Sequence, residues 1–274
     1  MRLIIGRMLC HLPRRCPQKR AGLQLVCGLL LACAVTAASA DDVPPLQLPK
    51  EDREEITRLM GGDIVVAALP AGPLLAASAY LPQASTLTFR VRTKGKQPYT
   101  ETHRITPVSE ANSAATFRYD KSGEGTMTFV PLGADGLAVS QETDLDKKVI
   151  STFTPPEPLI ISGLRPGESK EQTISVSVAD IVSPTKIDYN GTLKVTYTFL
   201  GRFKIKVPAG TYDADLLKWT YSGDVGPASV ETAEYRFIAK NAGMVAMVQW
   251  RSISAMLIYH EKSRIARQLQ SAGQ

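Results

Sequence analysis

Two pairs of aspartates have a spacing that could support chemistry. Asp144 and Asp146, like Asp213 and Asp215, are two positions apart, and residues at that spacing on a β-strand project from one face. Neighbouring carboxylates can share a proton, bind a cation or flank a glycosidic bond. In the hairpin inferred from the strand pattern, the second pair lies across from Lys204 on a solvent-exposed face. We therefore favour cross-strand ion pairs and keep an envelope-polymer hydrolase as the alternative.

Metal ligands and nucleophiles are sparse. After residue 40 the chain contains His103 and His260 as its histidines and no cysteine. A zinc site needs three or four clustered ligands, and His260-Glu261 lacks the second histidine of the zinc helix motif. The segment Ser183–Lys186 matches S-x-x-K, but its partner motifs S-D-N and K-T-G are absent. We predict no catalytic residue, metal or cofactor, and both histidines at the surface or a sheet edge.

Four aromatic residues in the last third of the chain are candidates for an apolar binding site. They are Trp219, Tyr221, Tyr235 and Trp250. A curved sheet leaves an apolar concavity on one side, and aromatic rings lining it could hold a lipid or a hydrophobic peptide segment. The alternative is that they are core and sheet-face aromatics.

The first forty residues have the composition of an export signal. Six basic and no acidic residues precede an apolar run that ends in Ala38-Ser39-Ala40, the pattern that a signal peptidase accepts. We predict a signal peptide over 1–40 with cleavage before Asp41, and a periplasmic protein. Two alternatives remain: Leu30–Cys33 resembles a lipobox, whose cysteine would be lipidated and so provide membrane contact, and Arg14-Arg15 could mark twin-arginine export.

Removal of the signal abolishes the net charge of the chain. Six of the 32 Lys and Arg residues lie in the signal, which leaves 26 against 26 Asp and Glu. Nucleic-acid binding needs a basic patch on the folded domain, so we predict no nucleic-acid partner. All four cysteines also lie in the signal, so no disulfide can form and stability must come from burial.

Residues 41–84 predict a helix and an apolar segment that pack on the main domain. Glu51–Met60 contains helix-forming residues with acids in its first turn, and Gly61-Gly62 is a stop signal. Ile64–Leu81 holds eighteen uncharged residues, enough to cross a bilayer. Two prolines and a glycine inside it would interrupt such a helix, so we predict a strand and a helical turn.

Residues 85–274 read as a series of short strands separated by turns. A proline cluster at 155–158 interrupts the series. Residues 253–259 are apolar on both faces and predict a buried strand, and the final residues predict a polar helix or tail. The other candidate strands are 85–93, 99–106, 113–120, 125–132, 136–143, 147–154, 158–164 and 171–183.

The clearest strand signal runs from Leu193 to Val207, where odd positions are apolar and even positions are polar. Gly201 marks either a bend in one strand or a three-residue hairpin loop. Pairing Val207 with Tyr212 places both apolar rows on one side, which makes VPAGT a hairpin turn. The apolar positions then shift by one residue, which predicts a β-bulge near Leu216–Leu217.

A second hairpin follows from the same pattern. The rows Ala233–Ala239 and Met244–Trp250 alternate in the same way, with Lys240–Gly243 as a four-residue turn between them. This register places Phe237 opposite Ala246 and, two positions along, Tyr235 opposite Val248.

The order of these turn motifs resembles a family of Gram-negative secreted proteins and lipoproteins defined by a domain of unknown function. The motifs are LRPGES (164–169), the long alternating strand, KVPAGTYDA (206–214) and NAGMVAMV (241–248). The last departs from the family pattern at a proline and a second glycine. The likeness covers roughly residues 115–260. It implies a curved antiparallel sheet similar to the open half-barrels of periplasmic lipoprotein carriers, and it implies no activity.

Together these observations predict an all-β fold, a curved antiparallel sheet forming a half-barrel or open barrel, with a short N-terminal helical segment. The expected function is an exported, non-enzymatic binding or envelope-assembly protein whose concave face carries a lipid or another apolar ligand, or contacts an envelope protein. A purely structural interaction protein is a further alternative, which would have a filled interior. The pattern does not determine an oligomeric state.

Overall fold

The computed structural model describes residues 47–108, 116–255 and 259–273, without the side chain of Tyr259. The export signal predicted for residues 1–40 and the two cleavage alternatives lie outside these ranges. The described chain contains one α-helix, α1 (Lys50–Met60), a 3-10 helix (Ala77–Tyr80) and thirteen β-strands. The strands are β1 (Val65–Leu69), β2 (Thr86–Thr93), β3 (Tyr99–Pro107), β4 (Phe117–Lys121), β5 (Gly125–Leu132), β6 (Gly136–Asp144), β7 (Val149–Ile160), β8 (Ser169–Asp180), β9 (Ile187–Val207), β10 (Gly210–Val225), β11 (Ala228–Ala239), β12 (Gly243–Ala255) and β13 (Tyr259–Gly273).

Twelve of these strands, β2 to β13, close into an antiparallel barrel. Neighbours in the barrel are neighbours in sequence except at one seam, where β13 pairs with β2; β9 pairs with both β8 and β10. The predicted all-β antiparallel fold is confirmed, but the predicted half-barrel or open barrel is wrong. The length of β9, 21 residues, lets it pair with two different strands along one edge. Its first half pairs with β8 and its second half with β1, so neither edge is left without hydrogen-bond partners.

The N-terminal segment contains the elements that the sequence predicts. Helix α1 ends at Gly61, which adopts a φ of 74° and donates its N–H to the carbonyl of Thr57 at 3.1 Å. The apolar segment that follows forms β1 and the 3-10 helix, as a strand and a helical turn. Within the described ranges no helix has the length and apolar character needed to cross a bilayer.

Two strand predictions need correction. The proline cluster does not interrupt the sheet, because β7 continues through it and its pairing with β6 shifts register there. The predicted C-terminal helix or tail is β13, which pairs with both β12 and β2. This strand looks polar in sequence because the barrel interior accepts charged groups such as Arg267, as described below. Residues 256–258 of the predicted apolar strand lie outside the described residues.

The β9–β10 hairpin has the predicted parity but a tighter turn. Val207 pairs with Gly210, so the loop is two residues long and the register differs by two from the prediction. The predicted bulge is confirmed between Leu216 and Leu217, which pair with Gly201 and Phe199. Gly201 therefore lies within one long strand. In the β11–β12 hairpin the two predicted pairs, Phe237 with Ala246 and Tyr235 with Val248, are both confirmed.

The bulge divides the apolar residues of β9 and β10 between two hydrophobic clusters. Ala214 and Leu216 belong to a cluster that includes Ile56 and Met60 of α1. Leu217 and Trp219 belong to a second cluster in the barrel interior. An inserted residue reverses which face of a strand points inward, so one pair of strands contributes to both cores.

Candidate functional site: the barrel interior

One end of the barrel is closed by residues 70–84, which we call the plug. Its backbone bonds to three turns spaced around that end. Leu74 donates to the carbonyl of Leu164 at 2.8 Å, and Ala77 donates to that of Asp135 at 2.7 Å. Near its end the plug donates from Gln83 to Asn241 at 2.9 Å. These turns join β7 to β8, β5 to β6 and β11 to β12, so the plug spans the opening.

A buried ionic group fixes the plug to the barrel wall. The hydroxyl of Tyr80 donates to Asp215 Oδ2 at 2.6 Å, and Arg202 donates to the same carboxylate through Nε at 2.9 Å and Nη2 at 3.1 Å. Asp215 is 2% exposed. Burial and the neighbouring Asp215 charge raise the pKa of Tyr80, so its hydroxyl remains a donor at any physiological pH.

The opposite end, which we call the distal end, is formed by the turns that join β2 to β3, β4 to β5, β6 to β7, β8 to β9 and β10 to β11, with the adjoining ends of β12 and β13. The described residues outside the strands and turns are α1, the plug and their flanks. None of them is hydrogen-bonded to a turn at the distal end.

Burial of the inward side chains decreases from the plug toward the distal end. On β9, Phe199, Tyr197 and Val195 are fully buried, whereas Leu193 is only half-buried. On β10 and β12 the same change separates buried from half-buried inward positions, whereas on β11 the inward Glu234 and Thr232 are buried. Outward neighbours on β9 are exposed by comparison, so the alternation identifies the half-buried side chains as interior ones. The distal half of the interior is therefore accessible to solvent, whereas the half beside the plug is packed.

Hydrogen bonds across the interior form a floor between the two halves. Trp219 Nε1 donates to the carbonyl of Pro158 at 3.0 Å, and the hydroxyl of Tyr197 donates to that of Leu159 at 2.9 Å. Above them the hydroxyl of Tyr221 donates to Glu157 Oε1. Burial raises the pKa of Glu157 to about 7. We call the space between this floor and the distal end the distal chamber.

The walls of the distal chamber differ in character. Strands β7 to β10 contribute half-buried apolar side chains, namely Phe153, Val178, Leu193 and Val225. Charged groups come from strands on the other side of the barrel. On β4 and β6, Lys121 bonds to Glu142 at 3.0 Å, and β12 carries Arg251 at an inward position. Such an amphipathic lining suits a ligand with one apolar and one polar part.

Two interior ionic networks have most of their polar groups paired. In the first, Arg236 bonds to Glu234, whose other oxygen accepts from Gln249 Nε2 at 2.8 Å. The guanidinium of Arg236 also lies 4.8 Å from the centre of the Trp219 ring. This network lies beside the floor and contributes to the polar wall.

The second network surrounds Arg267. Its guanidinium donates to Glu101 Oε1 at 3.0 Å and to Glu124 Oε2 at 3.2 Å. His103 contacts Glu101 at 3.0 Å and the hydroxyl of Tyr119 at 2.7 Å. Burial opposes the charge of Glu101, but hydrogen bonds from His103 and Arg267 outweigh burial and lower its pKa. Burial lowers the pKa of His103, which favours the neutral ring.

His103 is therefore wrongly predicted as a surface or sheet-edge residue, since it is 1% exposed. Its neighbours at inward positions of β3 are Glu101 and Tyr99, so the inward row carries no hydrophobic signal. The predicted position of His260 is confirmed, because that residue is exposed. Among the described residues no group of three or more His, Cys, Asp and Glu could hold a metal ion.

The aspartate pairs do not form a shared-proton site. Asp213 is exposed and lies 3.2 Å from Lys204, as expected. Asp215 does not face solvent as predicted, because it is buried and accepts the hydrogen bond from Tyr80 of the plug. Each carboxylate thus has its own cation. Asp144 accepts a hydrogen bond from the backbone N–H of Lys147 at 2.9 Å, in the turn after β6. These contacts support structural roles.

The four candidate aromatics divide between the two faces of the sheet. Trp219 and Tyr221 point inward. Tyr235 and Trp250 point outward, where the Tyr235 hydroxyl donates to Asp52 of α1 at 2.6 Å and Trp250 borders a shallow groove beside α1. The register explains the division, because Trp219 pairs with Glu234 and so places Tyr235 on the opposite face. The ligand-binding role of all four stays a prediction.

Comparisons with known proteins yield only distant structural likenesses. No protein-family model and no curated protein matches the chain. A protein from Bacteroides fragilis, described as exported with a YmcC-like fold, aligns over 73% of this chain and 100% of its own, with 11% identity and a TM-score of 0.43. The hypothetical lipoprotein YmcC from Escherichia coli aligns over 72% and 88%, with 8% identity and a TM-score of 0.37. A protein from Parabacteroides distasonis, described as a lipoprotein, aligns over 72% and 98%, with 10% identity and a TM-score of 0.35.

These values are too low to assign a function. The family resemblance drawn from the turn motifs therefore stays an interpretation of the sequence.

Proposed function

We propose that this protein is an exported, non-enzymatic binding protein that holds an amphiphilic molecule in the distal chamber. The observation that carries the proposal is the loss of burial along the interior: the same inward rows are fully packed beside the plug and half-buried beyond the floor. Inward apolar side chains that remain accessible to solvent leave hydrocarbon surface that a bound apolar group could cover. Export itself rests on the sequence of the first forty residues.

The apolar wall favours a ligand with a hydrocarbon part. Leu193, Val178, Phe153 and Val225 lie on adjacent strands, so their side chains form one continuous surface. Burying a methylene group contributes about 0.8 kcal/mol. A chain of several carbons on this wall would offset the loss of translational and rotational freedom on binding.

The polar wall favours a ligand that also carries a polar group. A purely apolar ligand would desolvate the charged groups around Lys121 and Glu142 without replacing their contact with water. An amphiphile avoids this cost, because its polar end remains among those groups while its apolar end covers the opposite wall. The envelope-assembly and structural alternatives lack such a specific observation.

Filling the chamber should abolish binding. Leu193→Trp places a large ring inward, whereas Thr192→Trp places the same ring on the exposed outer face one residue away. We expect Leu193→Trp to weaken binding of a fluorescent long-chain fatty acid by about tenfold or more, since the ring occupies the volume of the hydrocarbon. Thr192→Trp should bind like the wild type. Fluorescence titration measures both, and native mass spectrometry of the purified wild type tests for a co-purifying amphiphile.

The proposal fails under either of two results. Equal affinity of the two tryptophan variants would place binding outside the chamber. A wild-type protein that neither retains an amphiphile nor binds one after delipidation would favour the structural alternative.

A further inference from the structure

Arg251 is an interior arginine of the distal chamber. It lies on β12, where its paired residues are Thr232 on β11 and Ser263 on β13. Thr232 in turn pairs with Tyr221, whose hydroxyl bonds across the interior to Glu157. Paired residues share a face, so Arg251 points into the chamber. It is half-buried.

Three other cationic side chains inside the barrel each contact an acidic side chain, whereas Arg251 does not. Lys121 contacts Glu142, Arg236 contacts Glu234 and Arg267 contacts Glu101. In the described parts of the chain, Arg251 forms no hydrogen bond or ion pair. An arginine keeps its proton, so Arg251 presents a full positive charge and unpaired N–H donors to the solvent-accessible half of the interior.

Neighbouring acids do not supply a counter-ion. Glu142 is the acid whose pKa Arg251 helps to lower, but Lys121 makes the larger contribution and holds it at 3.0 Å. Glu261 pairs with Ile253 at the next inward position toward the distal end. It has interactions of its own and forms no ion pair with Arg251.

We infer that Arg251 binds the anionic head group, a carboxylate or a phosphate, of an amphiphile held in the distal chamber. The inference deepens the proposed function and rests on it, because it names the chemical class of the ligand. A guanidinium presents a planar fork of donors that matches both groups. The hydroxyls of Thr232 and Ser263 lie on either side as further donors. The apolar wall, which begins two strands away at β10, would hold the hydrocarbon.

The experiment compares a long-chain conjugated polyene fatty acid with its uncharged methyl ester, both followed by fluorescence after delipidation. Wild-type protein should bind the acid about tenfold or more tightly than the ester, since a charge-assisted hydrogen bond contributes to the acid alone. Arg251→Gln should remove that preference and leave the ester affinity unchanged. Arg264→Gln, on the outer face opposite Trp250, is the matched control and should keep it.

A lysine variant and a competition experiment test the roles of the guanidinium and of the head group. Arg251→Lys keeps the charge without the planar fork, so it should keep a preference for the acid at reduced affinity. If Arg251→Gln does not fold, as judged by circular dichroism, the Lys variant alone carries the test, and unchanged acid affinity there would overturn the inference. Competition with a monoacyl phosphate then distinguishes the head groups: the stronger competitor is the better match.

The failures of the two proposals are distinguishable. Equal binding of acid and ester by the wild type, with blockage by Leu193→Trp, overturns the role of Arg251 and leaves the chamber as a binding site. Binding of neither probe to the delipidated wild type overturns the chamber itself.

Discussion

The two halves of the barrel interior are built from the same strands but differ in side-chain burial and in the pairing of their charged groups. Beside the plug, inward side chains are fully buried and the charged group at Asp215 has both of its partners. Beyond the floor, inward side chains on the same strands are half-buried, and one arginine has no counter-ion among the described residues. Dense packing stabilises the fold, whereas accessible apolar surface beside an unpaired cation offers contacts that a ligand could make.

The difference assigns stability to one half and binding to the other. Substitutions beside the plug should lower the free energy of unfolding with little specific effect on ligand affinity. Those in the distal chamber should do the reverse. Each prediction below compares a residue of one half with a matched residue elsewhere.

The largest loss of stability is expected from Trp219→Ala in the floor. This change removes a fully buried ring and its hydrogen bond to Pro158, so the free energy of unfolding should fall by about 3–5 kcal/mol. Val225→Ala in the distal chamber should lower it by less than about 1.5 kcal/mol, because a half-buried side chain leaves little cavity. Urea unfolding at equilibrium measures both. Similar losses would mean that the chamber is packed like the rest of the core.

A smaller loss is expected from Asp215→Asn at the plug. The neutral amide leaves Arg202 without a counter-charge and weakens the bond to Tyr80, at a cost of about 2–3 kcal/mol. Asp213→Asn, two residues away but exposed, should change stability by less than about 0.5 kcal/mol. Thermal and urea unfolding test the pair. If Asp213→Asn proved as damaging as Asp215→Asn, the exposed contact with Lys204 would stabilise the fold as much as the buried contacts of Asp215 do.

The smallest effect is a pH dependence that depends on Glu157. Burial raises its pKa from 4.5 to about 7 in the folded state. Between these values the folded protein keeps a proton that the unfolded chain releases, so stability falls as pH rises through this window. Glu157→Gln should match the wild type near pH 4 and exceed it near pH 8 by about 1–3 kcal/mol.

The matched control for this prediction is Glu171→Gln on the exposed outer surface. Urea unfolding across the pH range should show the same slope for this control as for the wild type. A Glu157→Gln variant that keeps the wild-type slope would show that the carboxyl titrates normally.

Local features of this fold were readable from the sequence. The β11–β12 hairpin and the bulge at Leu216 follow from side-chain alternation, because a shift of one residue would turn apolar groups toward the wrong face. The length of the β9–β10 loop was not readable from the sequence. Registers that differ by two residues place the same side chains on the same face, so the alternation does not distinguish them. Closure of the barrel in sequence order depends on the long-range pairing of β13 with β2, and no local pattern encodes that these two edges meet.

The candidate site was only partly readable. The strands of its polar wall carry polar residues on their inward faces, so they show no hydrophobic alternation. For this reason β13 resembled a tail, and His103 resembled a surface residue. Of the four aromatics, Tyr235 and Trp250 were grouped wrongly with Trp219. On adjacent strands an odd-numbered residue can share a face with an even-numbered one, and only the register shows which residues do so. Arg251 carries no sequence signal, since its distinction is the lack of a partner in three dimensions.

The attachment points of the plug constrain the order in which the protein matures. They come from turns near residues 135, 164 and 241, whereas the plug itself leaves the ribosome before any of them. The plug therefore cannot complete its attachments, and its apolar side chains stay uncovered, until the chain has been synthesised past Asn241. Any factor that shelters nascent or translocating chains would therefore find the apolar residues 70–84 uncovered over that interval.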